Sequence, residues 1–277
     1  MIYYGENFES KLKQLNKDGL ERLLVVADFD RTLTPSMYNG HNAANSSQVL
    51  SAAGIMPGGF RTGMDQLFAK YHPIELDHGL TIEEKSPLMV EWWMAVFGLM
   101  KEYGYSRQKL SEIIASGTLH WRDGVLDFLR KLHQARVPLL IFSAGMGDVI
   151  VEGLKAQGVE MELIDVIANF GNFAEDGSYL GTKEPIVHCL DKNESLLEVF
   201  GLKNKFAERF NVLLIGDSLH DLEMIEGGNH RQILKLGYLN HPSEAARLKY
   251  RQGFDLIVEG DGDFRPINDL LDRILGQ

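Results

Sequence analysis

The chain has a single cysteine, Cys189, in 277 residues. No intrachain disulfide can form, and a reducing compartment suits such a protein. Long apolar runs are missing too. The longest, such as Leu139-Leu140-Ile141-Phe142, fall far short of the roughly 18–20 residues that span a bilayer. The opening MIYYGENFESKLKQL has neither the basic start nor the apolar stretch of a secretory signal, so a cytoplasmic location with no membrane contact is expected. Positive charge is in deficit: 28 Lys and Arg against 39 Asp and Glu give a formal charge of -11. Such a surface repels long polyanions and argues against polymeric nucleic acid as a partner, while a small anion can still be neutralised locally. With 8 prolines and no repeat or low-complexity tract, disordered, collagen-like and coiled-coil readings are excluded. What remains is ordinary globular composition, 44% hydrophobic, long enough for one large domain or two and for a sizeable core.

Short apolar, β-branched runs recur as buried parallel strands should: Leu23–Asp28, Pro138–Phe142, Ile164–Ala168, Val212–Ile215, Gln232–Leu236 and Asp255–Val258. Helical stretches lie between and after them, at Val125–Gln134, Gly147–Gln157, Asp221–Glu226, Pro242–Arg251 and Pro266–Leu275. That alternation predicts βαβ units and an α/β fold with a doubly wound parallel sheet. Residues 45–120 break the rhythm. They offer helices at Met64–Tyr71, Ile82–Tyr103 and Lys109–Ala115, the last with Ser106 as its N-cap, and no apolar strand run. The spacing predicts a helical insertion at 45–120 carried by a sheet core of 1–44 and 121–277. An insertion after the first strand sits beside that strand's carboxyl end, the edge at which open α/β sheets bind ligands.

The chemistry-bearing segments fall at those strand ends. Asp28-Phe29-Asp30-Arg31-Thr32-Leu33-Thr34 follows the first apolar run and sets two carboxylates at i and i+2. Alone, such a pair reads equally well as turn caps. Phe142-Ser143-Ala144-Gly145 supplies a hydroxyl and backbone N–H groups at a helix start, an arrangement suited to phosphate. Gly216-Asp217-Ser218-Leu219-His220-Asp221 adds Asp217 and Asp221, hard oxygen donors of the kind Mg²⁺ requires. Between them run two lysine-bearing stretches, Thr182-Lys183-Glu184 and Asp191-Lys192-Asn193-Glu194-Ser195. His220, His188 and His120 have no zinc spacing and read as structural or exposed.

Four such segments in this order resemble the haloacid dehalogenase (HAD) superfamily of phosphotransferases over the whole chain. The second aspartate, Asp30, points to a phosphatase, because dehalogenases lack it. The segments ADFDRTLT, HPIELDHGLTIEEKSPLMVEWW, IFSAGMGDVI, ANFGNFAEDG, LIGDSLHDL and ILKLGYLN resemble more closely still the cytosolic 5′-nucleotidase III family, the pyrimidine and 7-methylguanosine 5′-nucleotidases. Two departures are Arg31, where members carry methionine, and the absence of the cysteines that some animal members have after the first motif.

The resemblance implies a HAD-type, Rossmann-like core with a helical cap at 45–120, acting as a monomer on nucleoside monophosphates. It implies Asp28 as the nucleophile, Asp30 as general acid and base, and Mg²⁺ held by the Asp28 carboxylate, the Asp30 carbonyl and Asp217. Asp221 would orient Asp217 or a metal-bound water. Ser143 and the Ala144 N–H would bind phosphate oxygens with a lysine, which the resemblance aligns with Lys192 and for which Lys183 is the runner-up. Glu75 would accept hydrogen bonds from an exocyclic amine of the base. Trp92 and Trp93 are neighbours on one helix, which predicts one in the core and the other, Trp93, stacked on the base. Pyrimidine-selective members carry tyrosine at position 93, and the larger ring suits a cationic 7-methylguanine as well as cytosine. The expected activity is Mg²⁺-dependent hydrolysis of CMP, UMP or 7-methyl-GMP. A phosphatase for another small phosphomonoester and a catalytically silent nucleotide-binding module are the alternatives.

Overall fold

The computed structural model describes residues 1–77 and 79–276. A short strand, β1 (Ile2–Tyr4), leads into α1 (Phe8–Asp18), whose Phe8, Leu12 and Leu15 are buried at i, i+4, i+7 spacing. Next comes β2 (Leu23–Ala27), buried at every position. A small hairpin of β3 (Met37–Tyr38) and β4 (His41–Asn42) precedes four helices. These are α2 (Val49–Ala52), α3 (Gly58–Leu76), α4 (Ile82–Glu102) and α5 (Arg107–Ala115). The alternating part then runs through α6 (Val125–Gln134), β5 (Leu139–Met146), α7 (Gly147–Ala156) and β6 (Ile164–Asn169). A second hairpin, β7 (Gly171–Phe173) and β8 (Tyr179–Thr182), leads to α8 (Ser195–Val199) and β9 (Asn211–Gly216). The chain closes with β10 (Gln232–Leu239), α9 (Glu244–Gly253), β11 (Leu256–Glu259) and α10 (Arg265–Leu275).

Seven strands form one sheet in the order β1-β11-β10-β9-β2-β5-β6, with every pairing parallel except that of β1 with β11. The period-2 geometry of a strand explains the continuous apolar runs. On β2, Leu23, Val25 and Ala27 enter one core while Leu24 and Val26 enter another on the opposite face. β9 divides likewise, with Leu213 and Ile215 on the first face and Val212 and Leu214 on the second. Two buried faces require two apolar sets per strand. The central strands therefore have no room for polar residues until they reach their ends.

The predicted parallel strands are all present, and α6 has the boundaries read from sequence. β1 was not expected; its three residues carry too little pattern to distinguish an edge strand from a tail. The helix expected over Asp221–Glu226 is instead a short 3₁₀ segment, Leu219–Ile225, opened by a capping box in which the Asp221 carboxylate accepts from the Ser218 N–H; seven residues are too few for the sequence to tell the two windings apart. Within the insertion, Ser106 caps α5 by accepting from the Lys109 N–H, as predicted. Its helices are not isolated from the rest: α5 packs on α7 and α4 on β8. Among the described residues no helix is long and apolar enough to cross a membrane.

Two features set up the ligand edge. The chain leaves β2 toward β5 and later returns to β9 on the other side, so β2 sits at the switch in strand order. The β5–β6 ladder also loses register between Phe142 and Met146, lifting Ser143-Ala144-Gly145 out of regular pairing.

Candidate active site

The chain turns sharply after Asp28. The N–H groups of Thr32, Leu33 and Thr34 all donate to the Phe29 carbonyl, and Arg31 takes a left-handed φ of 64°. Arg122 fixes this turn from behind. Buried to 3% exposure, it donates to the carbonyls of Arg31 (2.5 Å), Thr32 (2.9 Å) and Thr34 (3.3 Å) and pairs with Asp261 at 2.9 Å. Nothing in the sequence around Arg122 pointed to it, because its partners lie 88 to 139 residues away. A further tie joins two other site segments: Asn169, at the end of β6, donates to the carbonyls of Ala144 and Val187, each at 2.8 Å.

Lys192 stands at the centre of the polar cluster. Its Nζ lies 2.5 Å from Asp28 Oδ1 and 3.0 Å from Asp221 Oδ1, and all three residues are buried. Burial works against the ammonium, but Asp221 and Asp28 together outweigh it and hold Lys192 in its charged form. Lys183, by contrast, is exposed. The far oxygen of Asp221 accepts from the Asp217 and Ser218 N–H groups at 3.0 and 2.9 Å. Only glycine fits at 216, since a Cβ there would stand 2.6 Å from the Asp221 side chain. Asp217 is held through both its backbone and its side chain: Tyr250 Oη donates to its carbonyl, and Asn240 Nδ2 to its carboxylate at 3.2 Å.

Asp28, Asp217 and Asp221 each offer a carboxylate oxygen, all within 4.8 Å of one another. One lysine among three acids leaves the cluster short of positive charge. Burial, with Asp221 and Asp28 adding repulsion, holds the Asp217 carboxyl well above its usual range. Burial also raises Asp28, against the pull of Lys192. This donor set fits a hard divalent cation, which would reverse that penalty. Both Asp221 oxygens already have protein partners, so Asp28 and Asp217 are the members with capacity to spare.

These residues line a cavity of about 650 Å³ together with Ser143, Ala144, Glu75, Trp92 and Trp93. Such a volume is typical of small-molecule sites. Glu75 sits in the last turn of α3, just after Pro73, and its Oε1 accepts from Cys189 Sγ at 3.0 Å. Lys85 donates to the Glu75 carbonyl at 2.9 Å. The segment around Glu75 includes His78, which lies outside the described residues. The expectation that Trp92 and Trp93 could not share a side needs correcting, since both line the cavity. Consecutive helical residues diverge by about 100°, less than opposite faces of a helix do, so one wide cavity can be lined by both. Trp92 stacks on Tyr71 at 5.8 Å, and Trp93 on Phe97 at 5.5 Å. His188 and His220 also line the cavity, His188 buried and His220 exposed, while His120 is half-buried and stacks on Tyr38.

A parallel sheet whose carboxyl edge gathers Asp28, Asp30, Ser143, Lys192 and Asp217 defines a HAD-type phosphoryl-transfer enzyme. The pyrimidine 5′-nucleotidase (UMPH-1) family model matches residues 31–275, and the chain belongs to that family of 5′-nucleotidases. The 7-methylguanosine phosphate-specific 5′-nucleotidase of Mus musculus is 34% identical over 264 residues, covering 95% of this chain and 88% of its own. The protein of the same name from Gallus gallus is 32% identical over 275 residues, covering 99% and 95%. The crystal structure of cytosolic 5′-nucleotidase IIIB bound to cytidine matches with a TM-score of 0.90 at 29% identity, over 99% of this chain and 94% of that one. A phosphoserine phosphatase in its apo form, 14% identical with a TM-score of 0.52 over 90% and 98% of the two chains, shares the fold.

Proposed function

We propose that this 5′-nucleotidase hydrolyses CMP, UMP or 7-methyl-GMP to nucleoside and phosphate through an aspartyl-phosphate on Asp28. The observation that carries the reading is one continuous cavity lined both by the acidic cluster, Lys192 and Ser143 and by Glu75 and Trp93 from the inserted helices. The names of the relatives and the cytidine in the matched structure support the same substrate class.

In this mechanism an Asp28 oxygen bonds to phosphorus as the bond from phosphorus to the 5′ oxygen breaks, the electron pair staying on that oxygen. Asp30 gives it a proton, so the nucleoside leaves as a neutral alcohol. Water then attacks the phosphorus, Asp30 takes the water's proton, and the Asp28 carboxylate is released. The Lys192 ammonium, the Ser143 hydroxyl and the Ala144 N–H bind the phosphate oxygens and the charge that develops on them. Mg²⁺, held by Asp28, Asp217 and the Asp30 carbonyl with Asp221 behind them, would supply the charge that lets two anions meet. Residues 45–120 serve as the selectivity cap on a core of 1–44 and 121–277, Glu75 accepting from the base's exocyclic amine and Trp93 stacking on the ring. The protein would work as a monomer in the cytoplasm.

The test is kinetic ranking of CMP, UMP, GMP and 7-methyl-GMP with Mg²⁺ beside a panel of sugar phosphates and phosphoserine. A nucleotide should lead, and chelation should abolish turnover. Faster release from a non-nucleotide would reject the substrate class, and no Mg²⁺-dependent release at all would favour a silent binder.

A further inference from the structure

Asp30 is held by a residue outside every motif discussed so far. Its Oδ1 accepts from the Ser46 N–H at 2.7 Å and its Oδ2 from the Ser46 hydroxyl at 2.6 Å, so the two contacts together fix the plane of the carboxyl. Ser46 is fully buried. Its own oxygen accepts from the Met146 N–H at 3.2 Å, which directs the hydroxyl proton toward Asp30. The Ser46 backbone is itself fixed by a local turn, in which Asn45 Oδ1 accepts from the Ser47 and Gln48 N–H groups at 3.1 and 2.8 Å. Three segments therefore meet at one hydroxyl: the turn after β2, the start of the insertion and the irregular end of β5. The junction is tight. A Cβ on Gly145 would stand 2.0 Å from Ser46 Oγ and 2.8 Å from Asp30 Oδ2.

We infer that Ser46 is a positioning residue that aims the Asp30 carboxyl at the leaving 5′ oxygen, so that the inserted segment takes part in proton transfer as well as in substrate choice. The inference rests on the nucleotidase reading and on Asp30 as the proton donor. Proton transfer in a transition state is sensitive to donor orientation, and a carboxyl that loses the Ser46 hydroxyl and keeps only the Ser46 N–H can pivot about that single contact. Burial raises the Asp30 carboxyl while the two Ser46 hydrogen bonds pull it back; the geometry alone supports the assignment.

The test varies only the leaving group. Wild type, Ser46→Ala and Ser46→Thr are assayed for kcat/KM on CMP or 7-methyl-GMP, whichever wild type turns over faster. The same nucleotide with sulfur in place of the bridging 5′ oxygen is assayed beside it. A thiolate leaves without a proton, and kcat/KM reports only the steps up to departure of the nucleoside, before the water step that both esters share, so in this parameter aim matters only for the oxygen ester. General acid catalysis contributes about 10²–10⁴-fold, and loss of aim should forfeit about 10–100-fold of it on the oxygen ester. Ser46→Ala should stay within about threefold of wild type on the sulfur ester, and Ser46→Thr, which keeps the hydroxyl but adds a methyl to a tight junction, should keep the wild-type ratio between the two esters even if both rates fall. The ratio of the two rates in one preparation does not depend on the fraction folded, so a destabilised variant still reports. Equal losses on both esters, or a loss under about threefold on the oxygen ester, would overturn the inference. Failure of the underlying reading would look different: wild type itself would release no phosphate from any nucleotide.

Discussion

Lys192 and Glu75 line the same cavity in different company. Lys192 is buried between two carboxylates, at 2.5 and 3.0 Å, and one of them, Asp221, is tied in turn to two backbone N–H groups. Glu75 is half-buried at the end of a helix, and a single thiol donates to its carboxylate. One group is over-determined by its surroundings, and the other has capacity left for a ligand. Transition-state charge is stabilised best by groups that need no rearrangement. A base is best recognised by a group that is unpaired until the base arrives. On the proposed mechanism the sheet edge and the inserted helices would divide along that line, with Ser46 as the point where the insertion would reach into the chemistry.

The comparison breaks most severely at Asp28. Asp28→Asn should abolish turnover, measured as phosphate release, because an amide is a poor nucleophile and a poor cation ligand; substantial retained activity would remove Asp28 from its role. Asp30→Asn should lower kcat by about 10²–10⁴-fold while substrate still binds, and a loss under about tenfold would contradict the acid–base assignment. Lys192→Met strands two buried carboxylates. It should lower kcat by more than about a hundredfold and cost about 3–5 kcal/mol of stability in chelator, read by denaturant unfolding. Lys183→Met, on an exposed side chain, should change neither by much. At the cap, Trp93→Ala should be mildest, about 2–12-fold in kcat/KM from the loss of a stacking partner worth roughly 0.5–1.5 kcal/mol, and it should hurt 7-methyl-GMP more than CMP.

Legibility in the sequence followed the range of the interactions. The central strands were readable because a strand buried on two faces must be apolar throughout, as Leu23–Ala27 is. Ser106 was readable because an N-cap acts within three residues. The motif aspartates stood out because each follows such a run. Ser46, Arg122 and Asn240 carried no signal, since they act across 16 to about 90 residues or more and each alone is an ordinary polar side chain. The choice between Lys192 and Lys183 was open in sequence for the same reason; packing brings one ammonium to Asp28 and leaves the other in solvent. The 3₁₀ segment after Asp217 escaped because seven residues carry too little periodicity to separate a 3₁₀ run from an α-helical one.

The central claim is that phosphate chemistry and base choice are carried by separate groups, and Glu75→Ala tests it directly. The variant and wild type are compared in kcat/KM for CMP, 7-methyl-GMP and base-free ribose 5-phosphate. A hydrogen bond to a charged acceptor is worth about 1.5–3 kcal/mol, so the better nucleotide should lose roughly 10–100-fold while ribose 5-phosphate stays within about threefold. If all three substrates fall by the same factor, Glu75 serves cap folding or closure, and the division drawn between the two sets of cavity residues is wrong.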